Sequence, residues 1–407
     1  MAKTQSHGLR TMGFLIIMVL VTACKASQAS SPTTRTLPST PTLSGRVTVG
    51  KITEVILSDD AGDLNHIIPR HTRLEGDVLY TFVWQGESAW EMESCCRPIA
   101  IDLPGGQIHD LATEAKQGQW PISRQRYLVR EADKIYVFDL QTGEETVLGG
   151  EGRWLSHPAV SGSTVVWGEK NITSTLGTDI YAYDMATGQV FTITHRAGGQ
   201  MKPVIEGEWI VYKNRVIDDP RDLIADIYLH NITTGEDRLL GTNRFAADAT
   251  EEVYAIANGR VVWNEWPAGE WQDGKWYEEE SSLHVYELSS GVEWVLDSSN
   301  RAPFYFVLSG DLLLGGGGYD FAQDTSFDIP QEGLPDTYQD ISPGIRRVIK
   351  SRAVYVSETR MVWLIGTREE SNIEYYLTPG IPTPTPVTNI PTPGPIHYRL
   401  FTASIER

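Results

Sequence analysis

An all-β chain built from one small unit repeated many times is what the sequence predicts, and three observations predict it. The stretch Pro158–Thr194 reads as a strand (GSTVVW), a variable loop, a strand (DIYAYD), a Thr-Gly turn and a further strand. Short β-branched and aromatic runs joined by such turns are the signature of hairpins. The turn before the first of those strands recurs at Gly76, Gln125, Gly162, Gly207, Gly259, Gly310 and Thr359. The hairpin turn recurs as Leu103–Gly106, Leu140–Gly143, Met185–Gly188, Ile232–Gly235 and Leu288–Gly291. A repeat of roughly 40–55 residues, all strand and no helix, points to a β-propeller of four-stranded antiparallel blades. The turns count seven blades, with six as the alternative because the first and the last two units are degenerate.

Each element of the unit has a physical reason. Alternation puts Val165 and Trp167 on one face of the strand and Thr164 and Val166 on the other, as a strand between two packed sheets requires. Ile180 and Ala182 likewise oppose Tyr181 and Tyr183. Gly188 supplies the positive φ of the hairpin. A unit of this size has two apolar faces and must stack on copies of itself.

These residues resemble the repeats of TolB-type β-propellers, which have a Pro two residues before a β-branched position, a turn, an apolar strand and a D-I-Y-x-x-D-x-x-T-G run. The likeness is clear from Ile135 to Leu296, with SG, EG or NG in place of the usual turn. It implies the fold. It leaves the ligand open, because such blades serve transport complexes, peptidases, lyases and binders.

Residues 1–24 read as an export signal. Lys3 and Arg10 precede a short apolar run, Met12–Val21, and Val21-Thr22-Ala23 precede Cys24. Cys24 after small residues resembles a bacterial lipobox, whose cysteine is acylated; the other reading is a plain signal cut near Ala23. Residues 25–44 are rich in Ser, Thr and Pro and form an extended tether. The single propeller domain then spans 45–407, with its first strand at Arg46–Leu57.

A formal net charge of −19 and the lack of a basic cluster exclude nucleic acid as a natural partner. Cys95 and Cys96 are adjacent in the blade-1 loop, where an oxidising compartment allows either a vicinal disulfide or two free thiols. The blade-5 loop carries Trp266, Trp271, Trp276 and Tyr277 among acidic residues. Flat aromatic faces beside carboxylates suit a sugar or a cationic group; the same rings also serve to cover a blade edge. Trp84 and Trp90 pose that question in blade 1.

In blade 6, Gly315–Gly318 has no following Lys-Ser/Thr and is a bend or a close approach rather than a phosphate loop. Asp320–Asp340 reads as a long acidic loop, and Ile373–Leu377 as a strand. Residues 381–395 form a Pro/Thr-rich loop. Either Ile396–Ile405 or Arg46–Leu57 is expected to close the ring. The carboxylates of Ser58–Asn65 and the pair His66 and His71 read as solvated surface. No nucleophile elbow, zinc-binding helix, EF-hand or dinucleotide fingerprint is present. The sequence therefore points to a non-catalytic, lipid-anchored, extracytoplasmic protein without cofactor or metal, whose partner is an envelope protein or a glycan. The alternative is a polysaccharide-acting lyase or hydrolase with a site at the channel mouth.

Overall fold

The computed structural model describes residues 48–56, 72–84, 96–111, 126–131, 133–171, 177–194, 196–215, 225–243, 253–265, 270–272, 275–277, 282–296, 306–315, 317–329, 332, 334–335, 338–342, 345–371 and 397–406. All regular structure among them is β-strand, and every pairing is antiparallel.

The chain opens with β1 (Thr48–Val49) and β2 (Thr53–Glu54), then builds sheets in sequence order. Blade 1 is β3 (Arg73–Glu75), β4 (Val78–Trp84), β5 (Cys96–Asp102) and β6 (Gln107–Asp110). Blade 2 is β7 (Arg126–Glu131), β8 (Lys134–Asp139) and β9 (Glu145–Gly149). Blade 3 is β10 (Arg153–Ser161), β11 (Thr164–Asn171), β12 (Asp179–Asp184) and β13 (Gln189–Thr192). Blade 4 is β14 (Gln200–Glu206), β15 (Trp209–Arg215), β16 (Ala225–Asn231) and β17 (Asp237–Asn243). Blade 5 begins with β18 (Tyr254–Ala257) and β19 (Arg260–Glu265), makes the separate hairpin β20 (Glu270–Gln272) and β21 (Lys275–Tyr277), and ends with β22 (Ser282–Glu287) and β23 (Val292–Leu296). Blade 6 is β24 (Val307–Ser309), β25 (Leu312–Leu314), β26 (Gly318–Asp320) and β27 (Thr325–Phe327). Blade 7 is β28 (Tyr338–Ser342), β29 (Ile345–Val356), β30 (Arg360–Ser371) and β31 (His397–Glu406), extended by β1 and β2.

Six of these sheets are full blades of four or more strands, five with four and one with six, so the alternative count of six fits and seven is reached only by counting the three-stranded sheet numbered here as blade 2. The three strands of blade 2 carry the Thr-Gly turn between their last two members, so they match the second to fourth strands of a full blade. Seven apolar clusters fill the spaces between successive sheets. Tyr80 and Phe82 meet Tyr136 and Phe138 between blades 1 and 2. Leu128, Val137, Val165 and Trp167 pack between blades 2 and 3, whereas Val166, Ile180, Ala182 and Tyr212 pack between blades 3 and 4. The two faces of GSTVVW are thus used by two different neighbours, as the alternation requires. The circle closes where Tyr355, Val362 and Leu400 of blade 7 meet Leu74, Leu79 and Ile99 of blade 1. Trp167, Trp263 and Trp363, on β11, β19 and β30, each stand on the strand that follows the repeated turn and are at most 1% exposed.

The Asp-x-x-Thr-Gly turn is explained by its hydrogen bonds. Asp184 Oδ1 accepts from the Ala186 amide at 2.9 Å and Oδ2 from the Thr187 hydroxyl at 2.8 Å. Asn231 likewise accepts from the Thr233 and Thr234 amides. Gly188 follows with φ 72°, a conformation costly for any residue with a Cβ. The other repeated turn links blade to blade. The Gly207 amide donates to Ser161 Oγ at 3.0 Å, and Glu206 accepts from the amides of Asn258 and Gly259. Asp311 accepts from Asn258 Nδ2 and from Arg260 Nη1. Ser357 Oγ donates to the Gly76 carbonyl, and Arg360 binds Asp77. Prolines follow irregularities in the inner strands β10 and β14, where His157 and Lys202 take φ 47° and 52° immediately before Pro158 and Pro203.

Both termini close the ring. β31 pairs with β30 on one side and with β1 and β2 on the other. The Arg399 guanidinium is bidentate to Glu54, at 2.7 and 2.5 Å, a geometry suited to holding an edge. Two sequence expectations change. Within Arg46–Leu57 the described residues supply two two-residue strands rather than one, and Gly50 between them allows a close approach, donating to the Ser404 carbonyl at 2.8 Å where a Cβ would sit 2.5 Å from Ser404 Oγ. Asp320–Asp340 is not one loop: it contains the end of β26, all of β27 and the start of β28. The buried Asp320 carboxylate caps the turn through the Ala322 and Gln323 amides, which is why an acid stands there. Gly318 is a close approach, since its Cβ would meet the Phe327 ring at 2.3 Å. Residues 1–24, 25–44, Ser58–Asn65, His66, His71, Ile373–Leu377 and 381–395 lie outside the described residues.

Trp363→Ala should lower stability by roughly 3–5 kcal/mol in denaturant unfolding, from lost burial and the cavity left behind. Trp363 Nε1 is buried with no hydrogen-bond partner among the described residues, so Trp363→Phe, which removes that N–H as well, should cost only about 1.5 kcal/mol. Removing the chain through Leu57 should lower the melting temperature markedly, whereas beginning at Gly45 should leave it unchanged.

Candidate functional site

Strand direction sorts the loops onto two faces. In blades 1 and 3 to 6 the turns between first and second strands, and between third and fourth, lie at one end and are tight. The connections from second to third strand, and the exits to the next blade, lie at the other end. Among connections within a blade the long ones are there: 85–95 in blade 1, 216–224 in blade 4, 266–281 in blade 5 and, between β30 and β31, 372–396 in blade 7. Binding residues concentrate on such loops because a rigid scaffold positions them.

Some of the sequence-selected residues lie in or beside connections at this end. Trp271 is paired in register with Trp276 in the β20–β21 hairpin, and Tyr277 with Glu270. Trp84 ends β4 and is paired in register with Cys96 at the start of β5. Trp266, Trp90, Cys95 and Cys24 lie outside the described residues.

Sequence reasoning missed Trp154. It stands at the loop-bearing end of the inner strand β10 and is 43% exposed. Trp167, Trp263, Trp294 and Trp363 are all buried. Lys170 is its directly opposed partner on β11. An exposed indole offers a flat apolar face with a polar edge, the kind of group enriched at interfaces. Beside it, Arg153 forms an ion pair with the buried Glu169, which also accepts from Trp167 Nε1 at 3.0 Å. The only clue in the sequence was the RW dipeptide just upstream of the repeat.

The floor of this region is rigid. Gln200 is fully buried, donates to Asn214 Oδ1 at 2.7 Å and to the Arg196 and Gly198 carbonyls, and accepts from Thr194 Oγ1 at 3.1 Å. Gly177 lets two chain segments touch, since its Cβ would lie 1.9 Å from the Gly198 carbonyl oxygen. Arg196 reaches Asp237 at 2.8 Å and lies over the Tyr228 ring at 4.2 Å. Burial raises the Asp237 carboxyl, but hydrogen bonds from His230 and Arg196 outweigh it and hold the carboxyl below its ordinary range.

A second polar centre sits at the root of the aromatic loop. Glu265 ends β19 and Ser282 begins β22, so they bracket residues 266–281. His284 Nε2 lies 3.0 Å from Glu265 Oε2 and 2.9 Å from Ser282 Oγ, and Nδ1 lies 3.3 Å from Glu293 Oε1. Its ring stacks on Trp263 at 5.1 Å. Burial pulls its pKa down, yet the hydrogen bonds and charges of Glu265 and Glu293 prevail and push it up to about 9. Both ring nitrogens are engaged, so His284 is a charged brace. Among the described residues, no three His, Cys, Asp or Glu side chains are grouped to hold a metal ion, and no helix is long and apolar enough to cross a membrane.

No family model matches the sequence, and no curated protein matches it. Solved structures do. An oligogalacturonate lyase in complex with manganese matches over 89% of this chain and 98% of that one, with TM-score 0.50 and 10% identity. A TolB from Agrobacterium tumefaciens matches over 42% of this chain with TM-score 0.32 and 18% identity, and the chain spans 62% of that protein's length. A puromycin-hydrolysing peptidase of Mycobacterium tuberculosis matches over 80% of this chain and 55% of that one, with TM-score 0.46 and 12% identity. Identities this low carry the fold, and the fold is an all-β propeller of antiparallel blades.

The folded-state pKa of His284 exceeds its ordinary value of 6.5, so between pH 6.5 and about 9 the folded chain holds more protons than the unfolded one. The stability His284 contributes is complete below pH 6.5 and lost as pH rises to about 9. Denaturant midpoints measured across that window should fall in the native chain and fall less in Glu293→Gln. Gly177→Ala should destabilise far more than Gly150→Ala, where a Cβ meets nothing within 4 Å, as thermal melts will report.

Proposed function

We propose that this chain is a non-catalytic cell-envelope lipoprotein whose propeller binds an envelope protein or a glycan on its loop-bearing face. One observation carries the reading: Trp154, at the inner end of that face, is the one exposed tryptophan among the described residues whose exposure the structure defines. The aromatic hairpin β20–β21 rises from the same face. The opposite face consists of tight turns whose polar groups are already bonded to one another, which leaves them little to offer a ligand. Export and anchoring rest on the leader residues, with Cys24 as the acylated group and residues 25–44 as the tether. The acidic charge favours a partner with cationic or neutral chemistry.

The lyase whose fold overlaps nearly all of this chain supports a second reading, cleavage of a polysaccharide, with the site at the channel mouth on the same face. One experiment separates the two. The full chain in detergent is applied to a glycan array and to envelope extract, and bound glycans are sized afterwards. Binding without chain shortening supports the first reading; shortening establishes the second. Trp154→Ala should weaken binding by about tenfold or more, as expected for an aromatic anchor, as should Trp271→Ala with Trp276→Ala. Unchanged binding in both variants would remove this face from the account. Cys24→Ala should release the chain from membranes, as fractionation will report.

A further inference from the structure

Blades 3 and 5 carry the same short motif in two different states. In blade 3 Trp167 and Glu169 stand two residues apart on β11, and the indole N–H donates to Glu169 Oε2 at 3.0 Å. Arg153 holds the other oxygen of that carboxylate. In blade 5 Trp263 and Glu265 stand at the equivalent places on β19. There the carboxylate is turned to His284 instead. Trp263 Nε1 is left buried with no hydrogen-bond partner among the described residues. A buried donor without an acceptor is costly, so something must hold Glu265 away from it.

The space for an alternative exists. Gly241 of β17 lies against this pair, and a Cβ there would sit 2.7 Å from Trp263 Nε1 and 3.7 Å from the Glu265 carboxyl carbon. Only a residue without a side chain leaves that corner open. The groups facing His284 are Glu265 from β19, Glu293 from β23 and Ser282 from its own strand. From the neighbouring blade, Arg238 on β17 lies over the Tyr286 ring, two residues along β22, and donates to its hydroxyl.

We propose that His284 is a positioning residue for the aromatic loop: protonated, it holds Glu265 away from Trp263, and on losing its proton it releases Glu265 to accept the indole N–H, as Glu169 does in blade 3. Glu265 is the last residue before Trp266, and Ser282 is the first after the loop. The exchange of partner therefore takes place at the two residues that flank 266–281. The proton leaves Nε2 for solvent while Nδ1–H stays on Glu293, so Glu265 loses its donor and no bond other than hydrogen bonds changes. The raised pKa of the imidazole places the release on the alkaline side of neutrality. As a device that sets the aim of the hairpin, this rests on the binding role proposed above. The exchange itself does not.

The test follows the Trp263 indole N–H by nitrogen-15 proton correlation on the full chain between pH 6 and pH 10.5, with the resonance assigned by Trp263→Phe. The expected result is a downfield move with a midpoint near pH 9, toward the position of the Trp167 indole. Glu293→Gln should move the midpoint to lower pH. Glu265→Gln should abolish the transition while leaving the rest of the spectrum folded. Amide exchange in residues 266–281 should change over the same range, a readout that a merely structural role would not move. A Trp263 resonance that stays fixed across the range, or that moves equally in Glu265→Gln, overturns the proposal. If the resonance moves but the loop-bearing face binds nothing at any pH, the exchange stands and the binding role fails. If binding occurs with the resonance fixed, the reverse holds.

Discussion

Everything in this molecule depends on the burial of each blade's two faces against two different neighbours. A sheet such as β10–β13 has Val165 and Trp167 on one side and Val166, Ile180 and Ala182 on the other, all essentially without solvent contact. Apolar burial is worth about 25 cal/mol per Å², and an isolated sheet would forfeit it on both faces at once. The blades are therefore stable only as a set.

The polar order follows from the apolar one. Packing fixes the blades side by side, which brings each Gly-containing turn against the next blade's turn. Ser161, Glu206, Asp311 and Ser357 then bond to backbone or side-chain groups across the boundary. That end of the ring is saturated by its own contacts. The other end receives every long connection, and it is there that Trp154, the aromatic hairpin and the His284 centre are found. Division of labour between the faces is a consequence of strand direction rather than of any special residue.

How much of this was legible in the sequence depends on the range of the interaction. Turn chemistry is local, and Asp184, Thr187 and Gly188 announced it. Period-two alternation is local too, so the opposed faces of β11 and β12 were readable. Closure by a terminal strand followed from the requirement that a ring have no open edge, and both ends contribute. The three-residue strands of blade 6 were hidden, because β26 and β27 are too short for alternation to show and contain Gly and Asp, which read as loop. Trp154 looked ordinary, since exposure is decided by what the neighbours leave uncovered. The His284 centre was beyond reach for a similar reason: Glu265 and Glu293 come from strands on either side of β22, and no spacing along the chain signals that they converge.

Blade 7 takes its outer strands from Thr48–Val49 and Thr53–Glu54 and its remaining strands from residues up to Glu406. A growing chain thus has its first strands ready long before their partner exists. Until β31 is made, β1 and β2 have nothing to pair with, and blade 1 lacks the part of its apolar wall that Leu400 supplies. Closure of the ring must wait for β31, and pairings this distant in sequence form slowly. During that interval the open ring exposes apolar surface that the closed ring buries.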